Sequence, residues 1–238
     1  PIYETRDQLT FLKASSKRAY RISNANQAVA ILHKAIQEAQ TPPCGPVSVE
    51  IPIDIQSAKI PLSLLTAPLK RAPAVEPEAS LVDALWAQLK QAKQPLLWLG
   101  GGALESGEAV KTLADAGVTV ISSTHGRGIL ADSHRASLRA FHTSPSVEAL
   151  ISQCDFTLVA GSRLRSNETR SWTLELPTPR VQIDIDPAAA SRNYLMDNTL
   201  VVDCRALLAA LAERVQGRIW GDARWDSQLK EAVEAAEQ

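Results

Sequence analysis

What this sequence lacks narrows it before any motif is read. Neither sign of charge is in surplus: 25 Lys and Arg stand against 26 Asp and Glu in 238 residues, a net charge of -1. With no basic excess and no run of like charges, a nucleic-acid partner and a charged disordered tail both drop out. No apolar stretch approaches the ~18–20 residues that span a bilayer. Residues 1–20 are too polar for a signal peptide, so we expect a cytoplasmic protein with no membrane partner. Cysteine is scarce. Cys44, Cys154 and Cys204 are odd in number and far apart, which fits neither a disulfide framework nor a zinc cluster and predicts buried, reduced thiols. An initiator methionine is missing too: the chain opens on Pro1, as expected of a piece cut from a longer protein. There is no Walker loop, nucleophile elbow, H-E-x-x-H or kinase signature.

What is present is an ordinary globular composition, 45% hydrophobic and 21% charged, arranged in unequal segments. In residues 1–56, Asn24 can cap a helix whose apolar face is Ala28, Leu32, Ala35, Ile36 and Ala39. The turn from Thr41 to Pro46 stops it, and Val47, Val49 and Ile51 alternate with polar residues as a strand ending at Pro52. One helix and a strand or two bury too little apolar surface to stand alone, so this segment reads as the end of a larger domain. Residues 57–78 form a linker stiffened by Pro61, Pro68, Pro73 and Pro77. Its Ile60, Leu62, Leu64 and Leu65 are expected to lie against a neighbouring domain.

Residues 79–215 alternate strand and helix, the pattern of a Rossmann-like α/β domain with a parallel sheet and helices on both faces. Ser80 and Asp83 suggest a capping box for the first helix, whose apolar face is Leu81, Val82, Leu85, Trp86 and Leu89. Strands are predicted at Pro95–Leu99, Val118–Ile121, Phe156–Ala160, Val181–Asp186 and Leu200–Val202. A helix capped by Ser144, with Pro145 at its first position, precedes the third strand, and Asp203 caps a helix carrying Leu207, Leu208, Leu211 and Val215. Residues 216–238 read as a turn and a weak Ala/Glu-rich helix, a linker toward a further domain.

Ligands of open parallel sheets bind at the carboxyl ends of strands, where glycine lets amides approach a phosphate. Three ends qualify: Gly100, Gly101 and Gly102; Ser123 to Gly128 with Thr124 and Gly126; and Gly161 with Arg163. The G-x-G-x-x-G fingerprint is incomplete because position 105 is Glu, so the glycines fit a tight strand-to-helix turn as well as a pyrophosphate. Asp184 and Asp186 could hydrogen-bond a ribose, or cap the turn after Pro187. Arg163 and Arg165 could grip a phosphate, or balance Glu168 and Glu175. His125, His134 and His142 lack metal-ligand spacing, so no metal and no catalytic residue is assigned. The residues alone leave open a nucleotide-binding module for FAD, ADP or NAD and a purely structural bridging domain.

The order of these pieces resembles the acetolactate synthase-like family of thiamine diphosphate (ThDP) enzymes. Gly45 to Gln56, reading G-P-V-S-V-E-I-P-I-D-I-Q, is similar to the segment that closes the pyrimidine-binding (Pyr) domain, and Lys17 to Ile22 is similar to the stretch before it. Pro95 to Gly102 resembles the opening of the central domain, Thr124 to Gly128 with Asp132 and His134 its T-x-x-G-K-G stretch, Asp155 to Arg163 its D-x-x-x-x-x-G-x-R, and Gln182 to Pro187 its I-D-I-D-P. Arg127 replaces the family lysine, the family proline gives way to Ala131, and Leu164 to Glu168 lacks the F-D-D-R of acetolactate synthases proper. The resemblance implies a fragment: the end of the Pyr domain (1–56), the linker, the central domain (79–215), and a link (216–238) toward a diphosphate-binding domain. It implies a parent that decarboxylates or ligates 2-oxo acids with ThDP and Mg²⁺, as a homodimer or homotetramer. Its central domain holds FAD, or ADP, or nothing. The family's activating glutamate and its G-D-G-x…N motif have no match in this sequence, so the chain alone is expected to be inactive.

Overall fold

A strand covered on both faces must be apolar at every position, and that pattern marks the sheet at the centre of this protein. The computed structural model describes residues 6–65 and 76–238, and the chain divides into two compact units between residues 73 and 74. In the first unit, Asp7 caps α1 (Gln8–Ser15), accepting from the Thr10 amide at 3.0 Å. Next come β1 (Arg18–Arg21), α2 (Ala28–Gln40), β2 (Val47–Glu50) and the short α3 (Ile53–Gln56). β1 and β2 pair in parallel, Arg18 opposite Val47. Asn24 accepts from the Asn26 amide at 2.9 Å and opens one 3-10 turn, Ala25–Gln27, that runs into α2. The apolar face of α2 is only partly covered: Ala35 is buried, while Leu32 and Ile36 are 38% and 47% exposed. Leu62 and Leu65 are exposed as well. Pro68 and Pro73 lie outside the described residues.

The second unit follows the sequence closely. Its elements are α4 (Ala79–Leu89), β3 (Pro95–Leu99), α5 (Gly107–Asp115), β4 (Thr119–Ser122), α6 (Pro145–Ile151), β5 (Phe156–Ala160), β6 (Arg180–Asp184), β7 (Asn198–Val201), α7 (Cys204–Arg214) and α8 (Ala223–Ala236). Five parallel strands lie in the order β4-β3-β5-β6-β7, so the winding direction reverses between β3 and β5. Pleating sends alternate residues of β3 to opposite faces. Leu97 and Leu99 join Val82, Leu85, Leu113, Leu207 and Leu211 of α4, α5 and α7. Leu96 and Trp98 join Val147 and Ile151 of α6 and Trp225, Leu229 and Val233 of α8. Burying one such side chain contributes about 1.5–3 kcal/mol, which makes this two-faced core the dominant stabilising feature of the domain.

Four expectations change. α4 begins at Ala79 after Glu78, so Ser80 lies inside its first turn and makes no cap bond, and Asp83 pairs instead with Arg214 at 2.8 Å. Ser144 precedes Pro145 as expected, yet its hydroxyl meets Ser146 at 2.9 Å rather than a helix amide. Cys154 and Cys204 are buried, whereas Cys44 is exposed. Burial pushes both buried thiols up to about 12. Residues 216–238, read as a linker, carry α8, whose Trp225 is 5% exposed with its Nε1–H donating to Thr119 at 3.0 Å. That helix belongs to the core because, with α6, it covers one face of the sheet.

Candidate functional site

The carboxyl ends of β3, β4 and β5 meet at the reversal point, and here backbone packs on backbone. Gly100 donates its amide to Ala160 O at 2.8 Å, and Gly102 donates to Gly161 O at 3.0 Å. A Cβ on Gly100 would lie 2.1 Å from Gly161 O, and one on Gly102 2.8 Å from Gly161 Cα. Gly161 has φ +61°, and its Cβ would lie 2.5 Å from Gly102 Cα. Gly126 is held the same way: its amide donates to Ser123 O at 3.0 Å, and its Cβ would meet Leu99 O at 2.4 Å. Glycine is therefore required here by the approach of neighbouring turns, and the amides of Gly100, Gly102 and Gly126 are already engaged. Gly101 faces His125, whose Cβ would sit 3.2 Å from an added methyl.

Thr124 is placed by a residue that sequence reasoning assigned elsewhere. Glu168, in the 3-10 turn Ser166–Glu168, is 2% exposed, and its carboxylate accepts the Thr124 amide at 3.1 Å. It therefore does not balance the arginines on the surface.

A second group gathers at the ends of β5 and β6. Arg163 pairs with Asp186 at 3.3 Å, so two residues proposed separately as ligand contacts neutralise each other. Asp184 accepts the Asp186 amide at 2.9 Å, and Asp186 accepts the Ala188 amide at 2.9 Å, which makes them turn caps. Burial raises the Asp184 carboxyl above its usual range, while that amide bond and Arg163 pull it back. Beside this pair, Arg163, Arg165, Arg192 and Trp172 line a hollow of about 330 Å³. Arg170, Ser171 and Trp172 all have positive φ, and Trp172 Nε1 donates to Leu164 O at 3.1 Å.

Gln182 and His142 have packing roles that the sequence did not assign to them. Gln182 is buried in β6, donating to Ser162 O at 3.1 Å and accepting the Ser191 amide at 2.9 Å. A polar residue inside an apolar strand was its signal, since such a group must find partners. His142 is buried and stacks on Trp98, ring centroids 6.0 Å apart. Desolvation lowers its pKa, with Glu168 acting in the opposite sense. His134 lies apart from it, 3.0 Å from Asp115, and among the described residues no three His, Cys, Asp or Glu side chains gather as a metal site. Among the same residues, no helix is long and apolar enough to cross a membrane.

Residues 82–211 match the central domain of thiamine pyrophosphate enzymes. The acetolactate synthase large subunit of Corynebacterium glutamicum is 27% identical over 207 residues, 83% of this chain and 33% of the relative. The isozyme 1 large subunit of Escherichia coli is 26% identical over 208 residues, 85% of this chain and 37% of the relative. A candidate thiamin diphosphate-dependent enzyme from Mycobacterium smegmatis has the same fold, with a TM-score of 0.73 at 24% identity over 94% of this chain and 45% of that one. The chain thus spans about a third of the length of the curated relatives it matches. With more than half of its residues matched, the chain belongs to the family of thiamine pyrophosphate enzyme central domains.

Proposed function

We propose that this chain is the bridging centre of a longer ThDP-dependent enzyme of the acetolactate synthase type. The family match over residues 82–211 carries the reading, and the family-like order of Gly45 to Gln56, Pro95 to Gly102 and Gln182 to Pro187 supports it. On this reading residues 1–56 close a Pyr domain, 57–78 connect it to the centre, and the end of α8 leads toward the domain that holds the cofactor diphosphate. ThDP, with Mg²⁺, supplies an electron sink for loss of carbon dioxide from a 2-oxo acid. The chain's own part is mechanical. Its two-faced core holds the neighbouring domains at a fixed spacing, and no residue in it acts on substrate. The whole enzyme would work in the cytoplasm as a homodimer or homotetramer.

The departures at Arg127 and Leu164 to Glu168 favour neither carboligation nor simple decarboxylation, so the products must be measured. The test is to express the complete gene product and supply ThDP, Mg²⁺ and a panel of 2-oxo acids. Carbon dioxide release with acetolactate-type products indicates a carboligase, and release with aldehyde alone a decarboxylase. A gene that ends near Gln238 with no diphosphate-binding segment, or a complete product that releases no carbon dioxide from any of them, would overturn the reading.

A further inference from the structure

Central domains of the resembled family hold FAD, ADP or nothing, and the strand ends of this chain bear on which. A pyrophosphate at the end of an open sheet needs free amides and a positive partner. The amides of Gly100 and Gly102 are taken by Ala160 O and Gly161 O, and that of Gly126 by Ser123 O. The amide of Thr124 is taken at 3.1 Å by the carboxylate of Glu168, which is 2% exposed. Arg163, the arginine that the G-x-R stretch would offer, is paired with Asp186 at 3.3 Å. An incoming phosphate would have to displace Glu168 from the Thr124 amide and would meet its negative charge beside it.

We infer that Glu168 is a built-in occupant of the anion position, so that this domain folds and bridges without flavin or adenine nucleotide. Its carboxylate does from inside the chain what a cofactor phosphate would do from outside. By accepting the Thr124 amide it ties the turn after β4 to the turn after β5. Residues 124 and 168 are 44 apart in sequence, so this bond closes the site across the sheet rather than along the chain. The inference does not depend on which reaction the longer enzyme performs.

The experiment compares three forms of the 238-residue chain: the native protein, Glu168→Gln and Glu168→Ala. The native protein is expected to purify without a flavin absorbance band. Its melting temperature should not move with FAD or ADP in large molar excess, since a ligand that binds the folded state must raise it. Amide hydrogen exchange gives the second readout. The Thr124 amide should be protected in the native protein and in Glu168→Gln, whose side-chain oxygen still accepts it, and should exchange at least tenfold faster in Glu168→Ala. If Glu168→Ala fails to fold, the native ligand titrations and the protection of Thr124 in Glu168→Gln still decide. Copurified flavin, a melting temperature that rises with FAD or ADP, or an unprotected Thr124 amide in the native protein would each overturn the inference.

Discussion

The two units of this chain answer the same kind of sequence signal in different ways. In the second unit every residue of β3 and β5 is buried, because α4, α5 and α7 cover one face of the sheet and α6 and α8 the other. In the first unit α2 carries an equally regular apolar stripe, yet Leu32 and Ile36 remain substantially exposed and β2 is only half-buried along its length. Amphipathic periodicity thus reports a surface that needs cover, not the presence of the cover.

This contrast can be broken by mutation, and the largest effect is expected where backbones touch. Gly100→Ala places a methyl 2.1 Å from Gly161 O and should cost about 3 kcal/mol or more, read as a fall in the urea midpoint of the second unit. A midpoint shift of a few tenths of a molar or less would show that the strand ends part easily. Next come matched leucines. Leu97→Ala, in the two-faced core, should cost about 2–5 kcal/mol. Leu32→Ala, on the open stripe, should stay within about 0.5 kcal/mol. Equal costs would erase the distinction between the units.

Helix caps sharpen it at a smaller scale. Asp203 accepts the Arg205 amide at 2.8 Å, so Asp203→Ala should lose about 1 kcal/mol. Ser80→Ala should be close to neutral, because Ser80 caps nothing. Thermal melts of the two variants, run side by side, check the pair.

The smallest effect is a pH dependence. Burial lowers the pKa of His142 below its usual 6.5, so the unfolded chain takes up this proton first. Stability contributed by keeping the ring neutral is present above about pH 6.5 and is lost as pH falls below that value. His142→Phe should flatten that part of the stability profile, with urea midpoints across this range as the measure. An unchanged slope would mean that other groups carry it.

Much of the second unit was legible because local chemistry decides it. The continuous apolar runs Pro95–Leu99 and Phe156–Ala160 have no polar face to offer water, so their ends were read residue for residue. Asp203 announced its helix by standing just before an apolar stripe. The helix of residues 216–238 was underrated because its alanines and glutamates carry little signal, although Trp225 and Leu229 are what the sheet required. The candidate site was legible only as a place. All of its glycines lie at strand ends, as their position after apolar runs implied.

The sequence by itself determined the alternation of strand and helix, the parallel sheet and the glycine turns, since periodicity and turn chemistry act over a few residues. Only the tertiary structure decided what those turns are free to do. Whether the Thr124 amide is open depends on Glu168, and whether Arg163 is available depends on Asp186. Partners brought together across a sheet leave no local trace in sequence, because their pairing is set by how whole elements pack.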